Sequence, residues 1–366
     1  MKNFARLICS ISLLPLLAVV ALCSQFYQHN LRFVDPAGKP ISDVIVQLSV
    51  SASPPAGGSG TFNHKSDADG RVSIAHPCAG GSCCFFISAS YKVIGKFGYN
   101  ISGGASLACG GPSIDITIVG TIQEYTKLSV VSAANFREPL SSEMIATAFG
   151  ANLAPTTEVA SLPLPTTLGN RRVYVRDSDG SQTLARLLLV SPGQINFILP
   201  IGTSPHIVIV SDENNQIIGT GFPALSSIAP GIFTANSDGQ GVPAAVIVRA
   251  RADGSQQYEP VAQFDQTLRR FVPMALDLGP ESDIIILALF GTGWRYFFPA
   301  TLTVKIGGIE CPVEYVGKQP NIEGLDQINV RLPRNLIGKG DVTVEVQFNY
   351  PGANSVEANP VQLKIK

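Results

Sequence analysis

The sequence predicts an all-β protein built from tandem antiparallel β-sandwiches. Apolar and polar residues alternate with a period of two in several short stretches, among them SIDITIV (113–119) and DVTVEVQF (341–348), as in strands with one buried face. The 35 glycines and 26 prolines separate such stretches at spacings typical of sandwiches. Helical periodicity with capping residues never extends beyond a turn or two. A chain of 366 residues is too long for one ordinary core, so two or three domains are expected.

The N-terminus has the features of a secretory signal peptide over residues 1–24. Two basic residues, Lys2 and Arg6, precede an apolar run over residues 7–22. This run is short for the roughly 20 residues that span a bilayer, and it ends in small and polar residues. We therefore expect a secreted or cell-surface protein. An uncleaved signal anchor and a lipidated Cys23 are the alternatives, and they are the only link to a membrane that the sequence suggests.

Charge is scarce in the chain and nearly balanced. Hydrophobic residues make up 45% of the sequence and charged residues 14%, and the formal net charge is −1. Loss of Lys2 and Arg6 with the signal peptide lowers that charge to −3. Because there is no basic stripe to bind phosphate backbones, nucleic acid is not an expected partner.

The first unit is expected over residues 29–120, and it concentrates the cysteines. Export implies an oxidising environment, in which Cys78, Cys83, Cys84 and Cys109 predict two disulfides. The spacing leaves the pairing open, but a bond between the neighbours Cys83 and Cys84 would be strained, which favours pairing of each with Cys78 or Cys109. Zinc is the alternative, although CAGGSCC lacks the two CxxC-like knuckles of structural zinc sites.

Two further units, expected over residues 128–235 and 236–366, look like copies of each other. IATAFGANLAP at 145–155 parallels ILALFGTGWRYFFP at 286–299, and a Gln-Ile-Asn segment follows each at a similar distance. Each unit is expected to be one sandwich, in which IIILALF forms a buried strand. Cys311 of the last unit is expected to be a buried free thiol on a strand.

The repeated Gln-Ile-Asn segment predicts the same strand in both copies. Alternate apolar residues are expected to face the core: Ile195, Phe197 and Leu199 in one copy, and Ile328, Val330 and Leu332 in the other. The amides on the opposite face are Gln194, Asn196, Gln327 and Asn329. We expect these amides to satisfy backbone groups of an adjacent loop. The alternative is that they line a ligand site.

Several motifs in this order resemble a known family. They are VSAANF (131–136), FGANLAP (149–155), LPTTLG (164–169), VSPGQINFILP (190–200), SIAPGIF (227–233) and GLDQINVRLP (324–333). Over residues 128–366 the chain resembles the uncharacterised Ig-like C-terminal domain family of exported acidobacterial, Solibacter-type proteins. The family usually has a Thr-Gly-apolar-Gly turn where this chain has GTGWRYFFP. The resemblance implies an Ig-like sandwich and export, and it implies no activity.

The first unit is similar to the carboxypeptidase regulatory-like, transthyretin-like fold. The similarity rests on FVDPAGKPISDVIVQL (33–48) and KSDADGRVSI (65–74). These residues describe a strand, a Pro-Gly turn, a second strand and an Asp-Gly turn. The cysteine-rich insertion departs from the usual pattern of that fold.

Two Asp-x-Asp-Gly segments, DADG at 67–70 and DSDG at 177–180, match the opening of a calcium-binding EF-hand loop. Where that loop ends in a bidentate glutamate, this chain has Cys78 and Leu188. We therefore expect hairpin turns in which Asp-Gly supplies a positive φ, with no metal and no cofactor.

Catalytic motifs are not apparent. The four histidines form no HExxH pair, and the sequence has no Gly-x-Ser-x-Gly elbow. His64 and His76 could approach Asp67 or Asp69 in the folded first unit, which is the hydrolase alternative. No catalytic residue is predicted, because such a set is recognised by geometry that spacing does not supply.

The aromatic segment WRYFF at 294–298 is the most distinctive local feature of the last unit. Exposed rings there would let sugars or a partner stack, and Trp294 and Tyr296 are the candidate ligand-binding residues. The alternative is a plug of the core or of a domain interface.

Together these features predict an exported, non-catalytic β-sandwich protein for binding, adhesion or cell-envelope structure. Its expected partner is an unidentified surface ligand, a glycan or a protein, recognised by shape and by edge strands. The alternative is an accessory module, carbohydrate-binding or otherwise, of an extracellular hydrolase, or a weak hydrolase in its own right.

Overall fold

The computed structural model describes residues 25–35, 37–42, 45–52, 59–78, 87–93, 102–107, 114–117, 125–177, 181–201, 207–298, 300–352 and 354–366. The predicted signal peptide and Cys83, Cys84 and Cys109 lie outside these residues, and only the backbone of Cys78 lies within them. The predicted disulfides therefore remain a prediction. Within the described residues the chain is all β apart from one 3₁₀ turn, Arg334–Leu336, which confirms the predicted fold class.

The first unit consists of two sheets. Its strands are β1 (Gln25–Val34), β2 (Ile45–Ala52), β3 (Ser59–Lys65), β4 (Arg71–Cys78), β5 (Ile87–Val93), β6 (Ser102–Leu107) and β7 (Ile114–Thr117). One sheet has the order β4-β1-β7, in which β7 runs parallel to β1, and the other has the order β3-β2-β5-β6. Leu31, Phe33 and Val72 of the first sheet are buried.

The second unit is a sandwich of two five-stranded sheets. Its strands are β8 (Thr126–Lys127), β9 (Ser129–Ser132), β10 (Ile145–Phe149), β11 (Glu158–Val159), β12 (Arg171–Arg176), β13 (Gln182–Leu184), β14 (Arg186–Val190), β15 (Gln194–Ile198), β16 (Ile207–Asp212) and β17 (Ile217–Gly221). The sheet orders are β11-β14-β15-β10-β9 and β13-β12-β16-β17-β8. Aliphatic side chains from both sheets form one core between them.

The third unit repeats this arrangement. Its strands are β18 (Gly231–Ile232), β19 (Ala245–Ala250), β20 (Gln256–Pro260), β21 (Ala262–Asp265), β22 (Arg270–Pro273), β23 (Ala275–Leu276), β24 (Ile284–Thr292), β25 (Thr301–Ile306), β26 (Ile309–Cys311), β27 (Val313–Lys318), β28 (Asp326–Arg331), β29 (Gly340–Asn349), β30 (Val356–Glu357) and β31 (Val361–Ile365). One sheet has the order β20-β19-β24-β28-β27 with β18 paired to β24, the other the order β23-β31-β29-β25-β26 with β30 paired to β29, and β21 and β22 form a separate hairpin.

The two sandwiches share their pairing pattern, as the repeated segments predict. The order β14-β15-β10 in one matches β27-β28-β24 in the other, and β14 and β27 both carry a register shift opposite the Gln-Ile-Asn strand. In each copy a short strand also runs parallel to the last strand: β8 along β17, and β23 along β31. The positive φ of Asn152 (56°) recurs at the matching Gly293 (90°).

The Gln-Ile-Asn strands confirm the predicted inward rows. Ile195, Phe197, Leu199, Ile328, Val330 and Leu332 are all buried. The expectation for the amides was wrong, because they bond along the strand rather than to a neighbouring loop. Gln194 Nε2 donates to Asn196 Oδ1 at 2.8 Å, and Gln327 Nε2 donates to Asn329 Oδ1 at 2.7 Å. Residues two apart on one strand face project side by side, which permits this bond.

The first Asp-x-Asp-Gly segment, residues 67–70, forms a turn. Gly70 has a φ of 73°, and Asp67 Oδ1 accepts the N–H groups of Asp69 and Arg71 at 2.9 and 2.8 Å. This turn joins strands of different sheets, since β3 pairs with β2 and β4 with β1, so the prediction of a hairpin was wrong there. Residues 178–180 lie outside the described residues, but β12 and β13 on either side of them do form a hairpin.

Two further predictions for the third unit are met. Residues 284–290 lie in the central strand β24, in which Ile285 and the segment 287–289 are buried, Ile286 and Phe290 are half-buried, and Ile284 is exposed. Cys311 ends β26 as a buried free thiol. Among the residues that the structure describes, no helix is long and apolar enough to cross a bilayer.

Candidate functional site

The chain turns sharply where β24 ends, at the end of the third sandwich that meets the second. Gly293 has a φ of 90°, a conformation that side chains disfavour, and a Cβ there would overlap the Ala229 carbonyl. A Cβ on Gly291 would overlap the indole of Trp294, which folds back onto it. These two glycines allow Trp294 to enter the core while Tyr296 stays at the surface.

Trp294 is a core residue, so its prediction as a ligand-binding residue was wrong. It is 0% exposed, and its ring stacks on Phe348 with a centroid separation of 6.4 Å. Phe297 packs beside it on Phe348, with centroids 6.0 Å apart. The alternative, a core plug, describes these two rings. Tyr296 and Phe298 are 42% and 86% exposed, and they remain accessible to a ligand.

Buried hydroxyl groups join the second and third sandwiches. Thr292 Oγ1 accepts the N–H of Ile145 at 2.9 Å and donates to the carbonyl of Gly324 at 2.7 Å. Ser141 Oγ donates to the carbonyl of Gly293 at 3.2 Å. Thr292 is fully buried, and Ser141 and Ile145 nearly so, so these bonds are shielded from water. They fix one sandwich against the other at this point.

A buried carboxylate organises the turn after β24. Asp326, the first residue of β28, is fully buried and accepts the N–H of Trp294 at 3.0 Å. Its other oxygen accepts from Arg295 Nε at 2.8 Å, and Arg295 also donates to the carbonyl of Leu325. Burial raises the pKa of Asp326, against the opposing effect of the Arg295 charge and the bonds from Trp294 and Arg295. Asp326 thus has the role of a buried acceptor that holds this loop.

Glu143 reaches across the junction from the second sandwich. It accepts a hydrogen bond from the Tyr296 hydroxyl, and Arg295 and Lys318 lie 3.9 and 3.8 Å from its carboxylate. Burial acts to raise the pKa of Glu143, but Tyr296, Lys318, Arg295 and Arg186 together hold it below its usual value. Burial, the bond to Glu143 and the Glu143 charge raise the pKa of Tyr296 to about 12. Glu143 therefore stays ionised and Tyr296 neutral at physiological pH.

A groove opens beside this cluster and has a volume of about 570 Å³. Five hydroxyl-bearing residues line it: Ser141, Ser142, Ser226, Ser227 and Tyr296. Leu140, Leu225 and Ile201 supply its apolar surface, and Ile201 is 66% exposed. The second sandwich contributes all of these except Tyr296, so the two sandwiches form the groove together. Such a mixture of hydroxyl and apolar groups suits the binding of a polar molecule with an apolar face.

The four residues of the hydrolase alternative belong to one turn and to two different sheets of the first unit. Asp67 is exposed, and its Oδ1 already accepts two backbone N–H groups of its own turn. His64 lies on β3 and His76 on β4, in different sheets, and of His76 only the backbone is described. Asp69 is exposed in the turn. No group of three or more His, Cys, Asp or Glu side chains capable of holding a metal occurs among the residues described.

Sequence reasoning missed Glu143, Thr292 and Asp326. A signal for Asp326 was present, since the residue before Gln-Ile-Asn is Gly193 in one copy and Asp326 in the other. A carboxylate at the start of an otherwise apolar strand needs a buried partner. Glu143 gave no comparable signal, because its partners are distant in sequence.

The described geometry defines a tandem immunoglobulin-like β-sandwich protein with a groove at a sandwich junction. No protein-family model matches the chain, and comparison with curated proteins finds no match. Among solved structures, the chain is similar to BcpA, the major pilin subunit of Bacillus cereus, at 10% identity and a TM-score of 0.19, over 85% of this chain and 96% of the pilin. It is also similar to tandem Ig domains of titin at 10% identity and a TM-score of 0.19, over 62% of this chain and 90% of that one. At that TM-score neither similarity bears on function.

Proposed function

We propose that the chain is an exported, non-catalytic protein that binds a surface ligand and serves adhesion or cell-envelope structure. The junction groove is the observation that carries this proposal. Its walls come from two sandwiches, and buried bonds from Thr292 and Ser141 hold those sandwiches together. A groove fixed in shape before binding loses less entropy when a ligand enters.

The charges around the groove support binding rather than bond cleavage. General acid–base catalysis needs a group whose pKa lies near the operating pH. Here the pKa of Glu143 is lowered and that of Tyr296 is raised to about 12, so each keeps one protonation state. Asp326 is fully buried behind Arg295 and cannot reach a ligand in the groove.

Finer assignments rest on the sequence. The ordered motifs over residues 128–366 support membership of the acidobacterial Ig-like family, and the motifs of residues 29–120 support a carboxypeptidase regulatory-like unit. Residues 1–24 support export, and the four clustered cysteines support two disulfides. N-terminal sequencing of the protein released by a bacterial host, and peptide mapping without reduction, test export and pairing.

The binding proposal is tested by screening the full mature chain against arrays of glycans and envelope polymers, with parallel assays on a hydrolase panel. We expect a hit that Tyr296→Ala weakens by about tenfold. Phe298→Ala is the matched control, because Phe298 is exposed in the same loop but does not line the groove. Equal affinity of the wild type and Tyr296→Ala contradicts the groove. Turnover that is abolished by His64→Ala or Asp69→Ala contradicts the non-catalytic proposal.

A further inference from the structure

The outward face of the sheet containing β24 carries two exposed tyrosines. Tyr258 of the edge strand β20 is 68% exposed, and Tyr315 of the opposite edge strand β27 is 40% exposed. Strand registers show that both lie on the face opposite the core. Tyr258 pairs with Val248, and Tyr315 pairs with Asn329, while the residues on either side of Asn329 point into the core. At the usual strand spacing the two strands stand roughly 19 Å apart.

Tyr315 is held at its hydroxyl end by its own strand. Its hydroxyl donates to the carbonyl of Lys318, three residues along the same strand. The ring passes over Gly317, where a Cβ would lie 3.4 Å from the ring carbon Cζ. The hydroxyl end of the ring therefore covers Gly317, and the exposed part of the ring is open to stacking on a flat apolar surface.

Amide groups lie on the same face on β28, between the two edge strands and next to Tyr315: Asn329 pairs with Tyr315, and Gln327 with Gly317. Gln327 Nε2 donates to Asn329 Oδ1 at 2.7 Å, which fixes the orientation of both amides. Within the described residues, Gln327 Oε1 and Asn329 Nδ2 make no hydrogen bond to the protein, so one acceptor and one donor remain for a ligand. Arg331 on the next outward position pairs with Glu314 at 2.8 Å, which balances its charge.

The second sandwich has the amides without the tyrosines. Leu189 pairs with Asn196 at the position that Tyr315 holds opposite Asn329, and no strand among the described residues corresponds to β20 beyond β9. Asn196 Oδ1 also accepts a bond from Thr147, where the third sandwich has Ala288. The combination of aromatic edges and partly unused amides is therefore specific to the third sandwich.

We propose that this face, the tyrosine-edged face formed by Tyr258, Tyr315, Gln327 and Asn329, binds a neutral oligosaccharide that crosses the strands. Sugar rings stack on the two tyrosines, and their hydroxyl groups bond to the amides between them. A neutral ligand matches a face whose one cation is paired, and a chain of several sugars spans the separation of the tyrosines. This proposal goes beyond the proposed function, because it assigns a second binding surface, separate from the junction groove, and names its ligand class.

The test measures binding of cello-oligosaccharides of increasing length to the full mature chain by calorimetry. We expect affinity to rise with length and to depend little on salt. Tyr258→Ala and Tyr315→Ala should each weaken binding about tenfold, and Asn329→Ala about fivefold. Tyr315→Phe, which keeps the ring, should bind within about twofold of wild type. Unchanged thermal unfolding of each variant excludes loss of structure as the cause.

Gln194→Ala in the second sandwich and Phe298→Ala, which is exposed but does not line the groove, are the controls, and both should bind as wild type does. Loss of binding in Tyr296→Ala with normal binding in Tyr258→Ala overturns this proposal and leaves the groove as the site. Weaker binding in the Tyr258 and Tyr315 variants alone supports it, whatever the outcome for the groove. Failure of every neutral oligosaccharide tested, or binding only to charged polymers that salt abolishes, also overturns it.

Discussion

Replacement of Thr292 by valine should loosen the junction without changing its shape. The hydroxyl of Thr292 serves two buried groups, the Ile145 N–H at 2.9 Å and the Gly324 carbonyl at 2.7 Å. Valine fills nearly the same volume but leaves both groups without a partner, and each buried unsatisfied group costs about 1–3 kcal/mol. Partial relaxation reduces the sum, so we expect a loss of about 2–4 kcal/mol.

Urea unfolding followed by tryptophan fluorescence measures this loss directly, since Trp294 is the only tryptophan and lies two residues away. At a typical urea dependence the midpoint should fall by roughly 1–2 M. Thr301→Val is the control, because Thr301 is exposed and its hydroxyl lies 3.5 Å from the Asn349 carbonyl, and it should change stability by less than about 0.5 kcal/mol. Equal midpoints for Thr292→Val and wild type would refute the role assigned to this hydroxyl.

Three further predictions concern single side chains. Trp294→Ala should lower the free energy of unfolding by about 3–5 kcal/mol, as expected for loss of a fully buried ring, and an unchanged unfolding midpoint would contradict its core position. The pKa of Glu143 is lowered in the folded protein, so ionised Glu143 stabilises the fold at a pH above the ordinary glutamate pKa, and this stability is lost as the pH falls through the pKa of the folded state. The free energy of unfolding should therefore depend less on acidic pH in Glu143→Gln than in wild type. Equal pH dependence in the two proteins would count against the contact with Tyr296. Burial raises the pKa of the Cys311 thiol, so iodoacetamide should label Cys311 in urea and leave it unlabelled in the native protein. Mass spectrometry measures the labelling, and rapid labelling of the native protein would contradict the burial of Cys311.

Local patterns in the sequence were enough to place the strands and their buried faces. The row through Ile195 and the row through Ile328 follow from a period of two, because a strand alternates its side chains whatever its neighbours are. The bond between Gln327 and Asn329 did not follow, since an amide can bond to a loop or to the next outward side chain on its own strand, and the sequence does not distinguish these. Trp294 was ambiguous because ring burial depends on how the chain turns at Gly293.

The junction was beyond the sequence for a different reason. Glu143 and Tyr296 are 153 positions apart, and Thr292 and Ile145 are 147 apart. Their contact depends on how one folded sandwich meets another, and no local pattern encodes that. Tyr258 and Tyr315 lie in one sheet because the order β20-β19-β24-β28-β27 places their strands at its two edges, and the strand registers turn both side chains to the same face.

The second sandwich closes its end without a carboxylate. After β10 the N–H of Gly150 donates to the Gly193 carbonyl at 3.2 Å, and the N–H of Leu153 donates to the Pro192 carbonyl at 2.9 Å. Leu153 itself is fully buried. The acceptors for these two N–H groups are loop carbonyls, and Arg171 Nε donates in turn to the carbonyl of Leu153.

The third sandwich closes the same end with a side chain, and this difference creates the junction. At the position of Leu153 it has Trp294, whose N–H donates to the Asp326 carboxylate instead of a loop carbonyl. A buried carboxylate requires a cation, which Arg295 supplies at 2.8 Å. Arg295 in turn lies 3.9 Å from Glu143 of the second sandwich. Exchange of glycine for aspartate before the Gln-Ile-Asn strand thus accompanies a change from an end closed on loop carbonyls to one that pairs with its neighbour, while the buried rows of both copies stay the same.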